Sequence, residues 1–228
     1  MLSRVIHIWG DSIGKGVVYD EQRNKYTLSP IRCADQVQTA LGIPVYNHAR
    51  MGATVQEGLD MLQKKGIFED HSADRVFAIE YGGNDCDLNW PAIAADPQGN
   101  HDAKVPLALF REKLGEFVQR VRISGGRVIL VTPPPLEATR YFNWVTRGLN
   151  AAAVLAYLGD VQHIYRWQER YALAVRDVAH TLQCELLDVR DFFLAERNFQ
   201  DLLCIDGIHP NANGQALITR AALQTFSS

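Results

Sequence analysis

Apolar and polar positions along this chain alternate in short blocks that switch between two periods. Residues 5–9 form an apolar run, Val-Ile-His-Ile-Trp, that stops at Gly10, as a buried strand does on entering a turn. Residues 45–49, 75–81, 127–131 and 185–188 repeat that behaviour, so five strands are predicted. The stretches between them have helical spacing. Ser29-Pro30 supplies a hydroxyl cap with proline in the first turn, and Gly42 closes the helix it opens. Thr54-Val55-Gln56-Glu57 is a capping box that opens a helix running to about Lys65. Leu107, Phe110, Leu114, Phe117, Val118 and Val121 share one helical face, and Gly125-Gly126 ends it. Residues 141–158 read as one helix with Gly148 as its weak spot. A second helical pattern covers 161–182, and a last one covers 213–226.

Two segments have no period. Residues 15–29 are polar with mixed charge and read as a loop with at most a turn of helix. Residues 86–105 are rich in Asp, Asn, Pro and Gly around an exposed-looking Trp90; an irregular connection of this length inside a compact domain is usually functional or disordered. With no repeat, low-complexity tract or linker, residues 1–228 read as a single domain. Strands alternating with helices predict an α/β fold, a parallel sheet covered on both faces. Right-handed crossovers make the flavodoxin-like order 2-1-3-4-5 the simplest for five strands. That order opens a crevice at the carboxyl ends of strands one and three, where such sheets bind ligands.

Composition narrows the partners. A hydrophobic share of 47% with 21% charged residues is that of an ordinary globular enzyme, and a net charge of −3 with no Lys/Arg block argues against nucleic acid. No window offers the roughly 18 uninterrupted apolar residues of a membrane span, and the first apolar run is too short for a signal peptide. A cytoplasmic location is therefore expected. Cys33, Cys86, Cys184 and Cys204 lie far apart without zinc spacing, and the seven histidines form no pair at helical spacing, so neither metal nor cofactor is predicted.

The turns at the predicted carboxyl edge carry the chemistry. Ser12 follows strand one between Gly10 and Gly14, where nothing bulky covers its hydroxyl. A serine needs a base within hydrogen-bond reach, and His209 fits; Asp206, three residues earlier, can lie alongside the ring and fix its tautomer. Pro210 biases the histidine away from helix and toward a rigid loop. An ester's tetrahedral intermediate also needs donors for its oxyanion, and the backbone N–H groups of Ser12 and Gly52 with the Asn84 amide could supply three. Each residue taken singly has a plainer reading. Ser12 could cap a helix, Asp206 could cap a turn, Gly52 could serve a strand-to-helix turn, and Asn84 could sit in a tight turn. The case rests on their joint occurrence.

Gly10-Asp11-Ser12-Ile13, Gly52, Gly83-Asn84-Asp85 and Asp206-Gly207-Ile208-His209-Pro210 resemble, in order, the four blocks of the SGNH hydrolase family, also called the GDSL esterases and lipases. Ile13 stands where leucine is commoner. The resemblance implies a three-layer α/β/α sandwich and a serine esterase, with Ser12 as nucleophile, His209 as base, Asp206 as its orienter, and Ser12, Gly52 and Asn84 as oxyanion donors. It does not separate a small-acyl esterase from a carbohydrate O-acetylesterase, a thioesterase or a lysophospholipase. Substrate choice is expected in residues 86–105 and in the aromatics Trp90, Tyr141, Phe142 and Trp144, which could equally be core. No long apolar lid is evident, which favours small acyl groups. An α/β-hydrolase elbow needs strands ahead of it, and only eleven residues precede Ser12. The non-enzyme alternative is a catalytically idle ligand-binding domain on the same fold.

Overall fold

The computed structural model describes residues 3–65 and 73–226. In chain order the elements are β1 (Ser3–Gly10), α1 (Ser12–Lys15), β2 (Val17–Asp20), β3 (Lys25–Leu28), α2 (Cys33–Leu41), β4 (Val45–Asn47), α3 (Val55–Lys64), β5 (Ala73–Glu80) and α4 (Trp90–Ala95). They continue with α5 (Leu107–Ile123), β6 (Arg127–Val131), α6 (Ala138–Val145), α7 (Ala151–Leu158), α8 (His163–Thr181), β7 (Glu185–Leu187), α9 (Val189–Leu194) and α10 (Ala212–Phe226).

Five of the strands form one parallel sheet in the order β4-β1-β5-β6-β7, which is 2-1-3-4-5 in chain order. This is the predicted order, and the sheet is sandwiched as expected. Successive strand residues alternate between two cores. Trp9, Phe77, Ile79, Val128 and Leu130 pack against α3, α5 and α8; Ile6, Val76, Ala78, Ile129 and Val131 pack against α2, α9 and α10. Phe77, Phe110, Phe117 and Phe193 are completely buried, and each such side chain contributes about 1.5–3 kcal/mol of burial free energy. A third apolar cluster, built from α4, α6, α7 and the start of α8, includes Leu88, Trp90, Phe142 and Leu158. It faces the carboxyl side of the sheet and shapes the ground beside the crevice. No described helix is long and apolar enough to cross a membrane.

Four expectations need correction. Residues 15–29 are not a loop but carry the antiparallel hairpin β2–β3, paired from Val17 opposite Leu28 to Asp20 opposite Lys25. Ser29 does not cap α2. Its N–H donates to Gly16 O at 2.8 Å and its hydroxyl oxygen accepts from Ile31 N–H at 3.1 Å, so it ends the hairpin and the helix begins later, at Cys33. The single helix over 141–158 is two, divided by the turn at Gly148; Asn150 caps the second by accepting from Ala153 N–H at 3.2 Å. Trp90 is only 7% exposed: Asn89 and Pro91 start α4 inside the supposed irregular stretch, and the Asp87 carboxylate accepts the indole N–H at 2.9 Å. A satisfied polar tip removes the main penalty for burying tryptophan.

Candidate active site

The three chemically interesting loops all leave the carboxyl ends of β1, β4 and β5. After β1 the chain turns at Asp11, whose carboxylate caps α1 by accepting from Ile13 N–H at 2.8 Å. Ser12 is therefore the first residue of α1 and not its cap. Its hydroxyl is free to point outward, although the residue is 94% covered by its surroundings, being 6% exposed.

Asp206 and His209 lie on the loop before α10. That loop is held tightly. Gly207 takes φ +77°, a Cβ there would stand 2.7 Å from Glu137 O, and its own carbonyl accepts from Glu137 N–H at 2.8 Å. An L side chain would be strained and would collide with backbone, so glycine is required at this position. The Asp206 carboxylate then does two things. Its Oδ1 accepts from Ile208 N–H and His209 N–H, both at 3.1 Å, which closes the turn. Its Oδ2 lies 2.6 Å from His209 Nδ1, and His209 Nε2 lies 2.9 Å from Ser12 Oγ. With Asp206 ionised, Nδ1 carries the proton and donates, leaving Nε2 as the acceptor facing the hydroxyl. Burial alone would raise the Asp206 carboxyl, but the hydrogen bond and charge of His209 and the two N–H groups outweigh it and hold it below the usual carboxylate range.

The second and third loops bring Gly52 and Asn84 to the same cavity wall as Ser12. Gly52 has φ +77° with open space where a Cβ would be, so its backbone is bare toward the cavity. Asn84 Nδ2 donates to Asp11 Oδ2 at 2.9 Å, which fixes the amide and leaves its second hydrogen unused by that bond. Asp85 ties the two loops together: Oδ1 accepts from Val55 N–H and Oδ2 from Gly82 N–H, each at 2.9 Å. Behind Asp11 lies a second buried carboxyl, Glu80. Burial and then the charge of Asp11 push Glu80 well above its ordinary value, and burial likewise raises Asp11.

The cavity these residues border has a volume of about 160 Å³. Trp90 and Tyr141 line it, whereas Phe142 is buried in the third cluster and Trp144 stands outside, edge-on to Tyr19 at 4.7 Å and beneath the Arg147 guanidinium. The sequence reading did not single out Tyr26, Asp87, Trp167 or Gln168, all of which line the cavity. Tyr26 went unseen because its hairpin did, although Val17-Val18-Tyr19 and Tyr26-Thr27-Leu28 are both β-favouring. Asp87 Oδ1 accepts from both Trp90 Nε1 and Tyr141 OH, at 2.9 and 2.7 Å, and Lys104 pairs with Oδ2 at 2.9 Å. The segment over 86–105 is pinned down by these bonds. Among the described residues no group of three or more His, Cys, Asp or Glu side chains is placed to hold a metal ion.

A doubly wound sheet thus carries a buried serine–imidazole–carboxylate chain at its carboxyl edge, and comparison with known proteins gives the class of the chain. The GDSL-like Lipase/Acylhydrolase family model matches residues 8–217, and the chain belongs to this family of ester-bond hydrolases. Solved structures share the fold across nearly the whole chain. A lipase/acylhydrolase from Enterococcus faecalis is 21% identical with a TM-score of 0.63, covering 98% of this chain and 94% of its own. The α/β hydrolase LAE5 from the Lake Arreo metagenome is 22% identical with a TM-score of 0.68, over 99% and 95%. A mutant of Axe2, an acetyl-xylooligosaccharide esterase from Geobacillus, is 18% identical with a TM-score of 0.68, over 99% and 94%. No curated protein matches the chain in sequence.

Proposed function

We propose that the protein hydrolyses carboxylic esters of small acyl groups through an acyl-enzyme on Ser12, with His209 as general base and Asp206 as its orienter. The observation that carries this reading is the unbroken chain from Ser12 Oγ to His209 Nε2 at 2.9 Å and from His209 Nδ1 to Asp206 Oδ2 at 2.6 Å. As Oγ attacks the ester carbonyl, Nε2 takes its proton, and Asp206 stabilises the imidazolium that forms. The carbonyl oxygen becomes an oxyanion within reach of Ser12 N–H, Gly52 N–H and the remaining Asn84 amide hydrogen. Collapse expels the alcohol with the proton from Nε2. Water, deprotonated by the same nitrogen, then releases the acid.

Acyl size follows from volume. A cavity of about 160 Å³ is close to the roughly 150 Å³ space that holds one benzene molecule in another protein's core. It suits an acyl group of a few carbons. A second reading, a carbohydrate O-acetylesterase, is favoured by the partly exposed indole of Trp167 along the cavity, a flat surface of the kind a sugar ring packs on. The fold is shared with a protein named as an acetyl-xylooligosaccharide esterase. The test is turnover of p-nitrophenyl acetate, butyrate, octanoate and laurate beside acetylated xylo-oligosaccharides, with Ser12→Ala as control. Ser12→Ala should lose hydrolysis and fluorophosphonate labelling while melting as the wild type does. Equal turnover by the two proteins would end the serine reading, and a preference for laurate would end the small-acyl one.

A further inference from the structure

The Asp206 carboxylate has a partner beyond its own loop. Tyr26, on β3 of the hairpin, donates its phenol O–H to Asp206 Oδ2 at 3.0 Å, the same oxygen that receives His209 Nδ1 at 2.6 Å. Its ring lies against the His209 imidazole with centroids 4.9 Å apart and planes tilted by 53°. The hairpin holds Tyr26 in place through an edge-on contact with Tyr19 at 5.2 Å and with Trp144 of α6 at 6.1 Å. Asp206 is thus filled on both oxygens: two backbone N–H groups on Oδ1, and an imidazole and a phenol on Oδ2.

Resting on the reading that His209 is the base, we propose that Tyr26 is a positioning residue that shares Asp206 Oδ2 with the imidazole, fixing the ring and tempering the carboxylate's hold on its proton. A carboxylate that accepts an additional hydrogen bond has less charge to offer the imidazolium, so the base works to lower pH than it would with Asp206 to itself. The phenol remains a donor over the whole working range: burial, and then the neighbouring Asp206, push it far above its ordinary value. The other titratable or charged groups facing the pair are Asp11 after β1, Tyr19 behind Tyr26, Cys204 on the loop itself, and Arg140 of α6 against Gly207. None of the four hydrogen-bonds Oδ2, whose partners are the Tyr26 phenol and the His209 imidazole, so the effect belongs to Tyr26.

The experiment is the pH dependence of the second-order rate of fluorophosphonate inactivation, and of kcat/KM for p-nitrophenyl acetate, in wild type, Tyr26→Phe and Tyr26→Leu. Tyr26→Phe keeps the ring and removes only the hydroxyl. Its acid limb should move upward by roughly 0.5–1 pH unit, part of the worth of one hydrogen bond to a charged group, while the plateau falls no more than about tenfold. Tyr26→Leu, which also loses the ring packing, should show the same limb with a lower plateau. An acid limb of Tyr26→Phe that superimposes on the wild type, whatever the plateau, overturns the proposal. A wild type that neither labels at Ser12 nor turns over the ester fails the serine reading instead, and the two failures are told apart by that control.

Discussion

Replacing Asp85 by asparagine should change how the stability of this protein depends on pH. Asp85 is fully buried, and its two oxygens each accept a backbone N–H, one from Val55 at the start of α3 and one from Gly82. Burial pushes the carboxyl up from 3.8 to about 7, against the pull of those two N–H groups. The unfolded chain has no such burden and ionises near its ordinary value. Between about pH 4 and pH 7 the folded state therefore holds a proton that the unfolded state has released, and stability falls as pH rises. The contribution is fully present below about pH 4 and is lost as pH passes 7. At about 1.4 kcal/mol per pH unit, the loss between pH 5 and pH 8 is roughly 3 kcal/mol. Asp85→Asn removes the titration. Its amide also faces one of the two N–H donors with the wrong group, at a cost of about 1–3 kcal/mol. Urea unfolding of both proteins at half-unit steps from pH 5 to pH 8 gives the comparison. The wild type's advantage over Asp85→Asn should shrink by about 3 kcal/mol across that range, and parallel curves would refute the argument. The same carboxylate joins the loops carrying Gly52 and Asn84, so Asp85→Asn should lower kcat more than it raises KM.

Other consequences are open to simpler measurement. Asn84→Ala should cut kcat for p-nitrophenyl acetate by about a hundred- to thousandfold, since one amide hydrogen would bind charge that exists only in the transition state, and should cost about 1–3 kcal/mol of stability because buried Asp11 Oδ2 loses its donor. A folded variant that keeps the wild-type kcat would mean that the amide is structural only. Leu158→Ala, at the cavity wall and 6% exposed, should cost about 2–5 kcal/mol of stability and shift the best acyl chain toward longer esters. An unchanged chain-length profile would mean that the acyl group lies elsewhere.

The sheet was legible because strands buried on both faces are written as unbroken apolar runs, and glycine or proline punctuates where each one leaves the sheet. Residues 127–131, followed by Thr132-Pro133-Pro134-Pro135, left no other reading, and the observed β6 has those bounds. Ser12, Asn84, Asp206 and His209 stood out for a related reason: polar residues with defined chemistry, placed at the edge where parallel sheets open. The hairpin was not. Its two strands are half-exposed on both faces, so no apolar alternation survives, and the charged residues around the turn at 21–24 look like loop. Missing the hairpin meant missing Tyr26. Trp90 was misread because the polar residues around it looked like solvent-facing loop, when Asp87 is in fact the partner that allows the indole to turn inward. Nothing in a linear pattern says which of Tyr141, Phe142 and Trp144 faces a cavity; that depends on where α6 lands against the hairpin and α8.

Asp206 and His209 sit three residues apart on one turn, and that turn is closed by its own N–H groups on the Asp206 carboxylate. Their mutual geometry is thus set first by a local loop and braced from outside by Glu137 on Gly207 and by Tyr26 on Asp206 Oδ2. What the wider scaffold must hold is the 2.9 Å between Ser12 Oγ and His209 Nε2, atoms 197 positions apart in sequence. Drift of β1 against the loop before α10 would open that gap while leaving the local turn intact.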